Sequence, residues 1–145
     1  MYKVLILFHV ITSTIFICVA IALTIRSLTG WIKKLKYSGT DKVLIRLFMT
    51  LLYLTLLHGV ISYFFIDPEL KSAVDIAQAI KRSSLRFWVV EHFYFMIFAL
   101  ILAQIGGIFI RKTTSDKYKF AYASFYYGTA TLITIVSMTF YFIYR

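Results

Sequence analysis

The chain has 145 residues, 61% of them hydrophobic and 19% aromatic, and a mean hydropathy of +0.82, values that exclude an ordinary soluble domain. Sixteen Lys and Arg against six Asp and Glu give a net charge of +10. The cations sit between the apolar runs, so membrane topology and anionic lipid head groups account for them, and nucleic acid is not an expected partner.

Cys18 is the only cysteine, which excludes a disulfide framework and a thiolate metal motif. The sequence also contains no phosphate-binding loop and no hydrolase triad. The first apolar run is long and has no small-residue cleavage site, so it is expected to be a retained span and not a cleaved leader.

Four apolar segments follow in chain order: 4–25, 43–66, 87–110 and 120–143. At 1.5 Å per residue each is long enough to cross roughly 30 Å of hydrocarbon as a helix. Short connections favour consecutive helices as antiparallel neighbours. The expected fold is therefore all-α: a single integral membrane domain over 1–145, built as a four-transmembrane-helix antiparallel bundle.

The first connection carries Arg26, Lys33, Lys34, Lys36, Lys42 and Arg46 against Asp41 alone. The third carries Arg111, Lys112, Lys117 and Lys119 against Asp116 alone. The second is balanced. By the positive-inside rule, connections one and three lie in the cytoplasm and both termini face outward. Within the second connection, Asp67-Pro68 reads as a helix start, and Leu70, Ala73, Val74, Ala77 and Ile80 recur at helical spacing. This predicts a short amphipathic helix on the outer membrane surface.

The stretch 86–107, RFWVVEHFYFMIFALILAQIGG, holds the main functional signal. Glu91 and His92 stand side by side inside an apolar span, where ionisable groups are expensive and read as functional or partnered. His9 and His58 also lie inside apolar runs. With this topology all three histidines fall roughly 8–12 Å below the outer boundary. Each shares a helix face with small or polar residues: His92 with Met96, Ala99, Ala103 and Gly107; His58 with Thr55 and Ser62; His9 with Thr12 and Ser13. Small residues at that spacing let helices approach closely, so these faces should look inward. Span four offers Ser124, Gly128 and Thr131 but no histidine and is expected to serve as a wall.

Three chemistries suit inward imidazoles. Haem b is held by two histidines from facing helices, with Lys3, Lys81, Arg82 and Arg86 available for its propionates. Copper or zinc would take His9, His58 and His92 as ligands. A quinone site would use a histidine as hydrogen-bond partner and Glu91 as proton carrier. Against all three stands the simpler reading, in which buried histidines are hydrogen-bonded packing residues and no cofactor is bound.

The stretch LRFWVVEH at 85–92, with His9, Gly59, Tyr63-Phe64 and Ile105-Gly106, resembles a family of small bacterial four-helix membrane proteins labelled "cytochrome B-like". The resemblance implies a bacterial inner membrane, a b-type haem and electron transfer. That family places its second-span histidine nearer Tyr53, whereas this chain has His58, which leaves His9 and His92 as the favoured axial pair. The expected function is transfer of electrons between the quinone pool and an outer-side partner, alone or as a subunit of a larger respiratory complex. The alternatives are a cofactor-free accessory subunit alongside other membrane-protein subunits, or a copper- or zinc-handling protein.

Overall fold

The computed structural model describes residues 2–64 and 87–143, and every element among them is helical. Helix α1 runs Tyr2–Ile32 and α2 runs Gly39–Phe64. A π-helical turn at Phe87–Glu91 leads into α3, His92–Lys112, with helical dihedrals at Glu91 (φ −67°, ψ −48°). Helix α4, Asp116–Tyr122, passes through a second π-turn, Ala123–Tyr127, into α5, Gly128–Ile143. The junctions at Ala123 and Gly128 keep right-handed helical dihedrals, so α4, the turn and α5 form one continuous helical rod. The amphipathic connection expected over 67–84, together with Lys81, Arg82 and Arg86, lies outside the described residues.

Among the described residues, three helices are long and apolar enough to cross a membrane: α1, α2 and α3. The 31 residues of α1 span roughly 46 Å at 1.5 Å per residue, more than hydrocarbon alone requires. The fourth apolar segment is divided by its π-turn, leaving α5 with 16 residues of regular α-helix.

Helix α1 outruns its expected end at residue 25 because the charge on Arg26 is matched. Arg26 donates from Nε to Asp41 Oδ1 at 2.7 Å and from Nη2 to Oδ2 at 3.2 Å. The backbone N–H and the hydroxyl of Ser38 both donate to Asp41 Oδ2 at 2.8 Å, so the carboxylate caps the start of α2. At the end of α1, Leu35 N–H bonds the Gly30 carbonyl while Lys34 takes the left-handed conformation at φ 53°. This is a Schellman-type stop with lysine where glycine is the usual residue. Phe120 of α4 lies against Gly30 so closely that a Cβ there would fall 2.5 Å from its ring. The Arg26 guanidinium sits 5.5 Å from the same ring's centroid.

The core is aromatic at its middle. Phe48 meets Phe16 and Tyr127, each with ring centroids 5.0 Å apart, and Leu23 and Leu52 fill the space beside them. Ala99, Ala103 and Gly106 form the buried stripe of α3, and a Cβ on Gly106 would stand 2.5 Å from Tyr126 Cβ. Small residues thus set the close approach of α3 to the second π-turn and α5. Contacts are most extensive between α1 and α2, then between α3 and α5, and are sparse between α2 and α3. The outer faces are apolar, with Leu7, Leu57, Phe125 and Leu132 all more than half exposed. So much exposed apolar surface would aggregate in water and is suited to contact with a lipid bilayer.

Candidate functional site

His92 opens α3 immediately after the first π-turn. A π-turn inserts one extra residue into a helical turn and rotates everything beyond it, and such turns recur at functional sites. The His92 ring is held across the molecule by α5: its Nδ1 lies 2.9 Å from the hydroxyl of Ser137, which is fully buried. Phe87 lies beside it at 6.2 Å between ring centroids.

Below this pair is a cavity of about 360 Å³. Helix α1 contributes Ser13, Phe16 and Ile17, and α2 contributes Leu52, Thr55, Leu56, Gly59 and Val60. The other walls are His92, Phe93 and Met96 of α3 and Thr134 and Met138 of α5. Most of this lining is apolar. Thr55 and Thr134 spend their hydroxyl hydrogens on carbonyls one turn back, at Leu51 or Leu52 and at Ala130, so they face the cavity as acceptors only. His92 and Ser13 are the polar side chains that give the cavity direction.

The other two histidines do not line the cavity. His9 lies where α1 meets α2. Its ring packs on Gly59, where a Cβ would stand 3.3 Å from Cε1, so the glycine makes room for the imidazole. His9 Nδ1 is buried there and has no hydrogen-bond partner among the described residues. His58 Nδ1 lies 3.3 Å from Thr12 Oγ1. The Thr12 hydroxyl also contacts the carbonyls of Phe8 (2.8 Å) and His9 (3.1 Å), which can only accept. The network is satisfied when Thr12 donates to the backbone and His58 Nδ1–H donates to Thr12. His58 thereby ties α2 to α1.

Glu91 faces elsewhere. It is half-buried and lines a separate hollow with Val90, Tyr94, Phe95, Phe98 and Phe140. Lys3 is exposed near the start of α1. Among the described residues, no three of His, Cys, Asp and Glu are grouped so as to hold a metal ion. A porphyrin ligated by two histidines needs two imidazoles facing one slot. Here one imidazole lines the cavity, and His9 would have to turn past Gly59 to join it.

Sequence reasoning missed Ser137, Thr134 and Met138. Their signal was the same polar-stripe argument applied one turn further along span four, where Thr131, Thr134 and Ser137 recur at three-residue spacing. Comparison of the chain with family models, curated proteins and solved structures finds no match.

Proposed function

We propose that the chain crosses a bacterial inner membrane four times as an antiparallel bundle, with both termini outward, and that the cavity beside His92 receives the head group of a membrane-soluble quinone. The observation that carries this reading is an apolar cavity of about 360 Å³ with one oriented imidazole and one serine hydroxyl on its wall. Pockets of this size and lining suit a flat apolar head with a few polar atoms. The α4–α5 rod, continuous in its dihedrals, would supply the fourth crossing.

In this reading a bound quinone supplies two-electron, two-proton redox chemistry. The chain's part is to orient and enclose it. Ser137 fixes the His92 ring, His92 and Ser13 address the carbonyl oxygens of the head group, and Phe16, Leu52 and Phe93 keep water away. The electrons would pass between this quinone and a redox centre supplied by an outer-side partner or a larger complex, with the two protons exchanged alongside them.

A second reading keeps the haem expected from the "cytochrome B-like" resemblance, with His9 and His92 as axial ligands. It is favoured by the buried Nδ1 of His9, which has no hydrogen-bond partner among the described residues. One preparation separates the two readings. Protein purified in mild detergent is expected to carry extractable quinone near one per chain, lowered at least tenfold in His92→Ala, and to show no Soret band. A Soret band that shifts on dithionite and is lost in both His9→Ala and His92→Ala replaces quinone by haem. A colourless, quinone-free chain that co-purifies with a larger complex makes it a cofactor-free accessory subunit.

A further inference from the structure

We propose that the seam between α2 and α3 holds a second site, at the end of the molecule away from the histidines, that binds a phosphate-bearing anion. It is a hollow of about 600 Å³ at the ends of these two helices that meet the first and third connections. Lys42 and Arg46 enter from one turn of α2, Arg111 from the last turn of α3 and Lys119 from α4. No Asp or Glu lines the hollow. Among the described residues Lys42, Arg46 and Arg111 are in no ion pair, while Lys119 has one contact with Asp116 at 3.9 Å. Lys42, Arg46 and Arg111, together with Lys119 and its one long carboxylate contact, repel one another, and an anion relieves that repulsion.

A second observation points to a ligand independently of charge. Tyr127 is fully buried, lines the hollow, and its hydroxyl has no hydrogen-bond partner among the described residues. A buried unpaired hydroxyl is unfavourable unless a ligand or water completes it. The Tyr127 hydroxyl and the Arg111 guanidinium both lie against Gly107, at 3.3 and 3.5 Å from where its Cβ would be. A side chain at 107 would intrude between them. The second π-turn ends at Tyr127 and sets its direction.

The hollow continues toward the middle of the membrane along Met49, Tyr53 and Ala103. That shape suits an amphiphile with a phosphate head at the cations and an acyl chain along the seam; a soluble phosphate would use the head subsite alone. Basic pockets between membrane helices recognise phospholipid head groups in this way.

The test uses delipidated full-length protein in neutral detergent. Binding is read as the shift in thermal unfolding midpoint on adding phosphatidylglycerol, phosphatidylcholine or inorganic phosphate at matched ionic strength. Phosphatidylglycerol is expected to stabilise and phosphatidylcholine to leave the midpoint unchanged. Stabilisation by inorganic phosphate as well identifies the head subsite as sufficient. Arg46→Gln and Arg111→Gln, both at exposed side chains, should each raise about fivefold the lipid concentration needed for a given shift, the contribution of one basic group near a surface. Tyr127→Phe should weaken binding without loss of charge, and Lys33→Gln, outside the hollow, should not. Equal stabilisation by both lipids with none from phosphate, or equal weakening in Lys33→Gln, overturns the proposal.

Discussion

At the residue scale, Asp41 carries more than its place in a basic connection suggests. Its side chain is 3% exposed, and both oxygens are occupied by Arg26 and Ser38. Asp41→Asn removes the charge that holds a bidentate arginine and a cap together, and is expected to lower stability by about 2 kcal/mol. The value is below that for breaking a fully buried pair because Arg26 is partly solvated. A denaturation midpoint in detergent measures it. Lys34 offers the opposite change. Its left-handed backbone disfavours any residue with a Cβ, so Lys34→Gly should raise stability by about 1 kcal/mol in the same assay. Next to them, burial and then the Asp41 carboxylate push the Tyr37 phenol up to about 12, so it stays neutral through any working buffer. In the cavity, Ser137→Ala removes one hydrogen bond that orients the His92 ring. It should weaken ligand retention about fivefold, the loss of one hydrogen bond, while helicity by circular dichroism is unchanged.

At the scale of elements, the small residues of α3 decide how the halves of the molecule meet. Gly106→Ala drives a methyl into Tyr126 Cβ, an atom fixed to its backbone, and is expected to destabilise by about 1–3 kcal/mol. The helix positions were largely legible in the sequence because long apolar runs leave a backbone few alternatives in lipid. The ends were less so. Charge at Arg26 and Asp41 looked like the edge of a span, but each cancels the other and both helices run through them. The π-turn at Ala123–Tyr127 left no mark in composition, since it arises from packing against α3 and not from any local propensity. The three histidines could be placed at one level by counting residues. Counting did not show that one lines a cavity while another is held on Thr12 and the third is screened by Gly59, because that depends on how the helices are rotated against one another. The basic hollow was half-visible. Lys42, Arg46, Thr50 and Tyr53 share a helical face, but the sequence offers Lys42, Arg46 and Arg111 only as topology signals, because nothing in it sets Arg111 opposite that face.

At the scale of the whole molecule, α1 is the central member, touching α2, α4, α5 and the second π-turn. The proposed orientation makes a direct prediction. In a Cys18→Ser background, Lys3→Cys should be labelled by a membrane-impermeant maleimide in intact spheroplasts, and Lys36→Cys only after permeabilisation; the reverse pattern would invert the topology. The natural Cys18, exposed on the outer face of α1, should resist that reagent because lipid covers it. The sparse contact between α2 and α3 has a further consequence. The cavity beside His92 and the basic hollow both border that one loosely joined seam. In the proposed membrane orientation, a molecule dissolved in the bilayer would reach either chamber sideways, between two helices, without passing through water. Traffic of that kind answers to the fluidity and composition of the surrounding leaflet, and not to concentration in the aqueous phase.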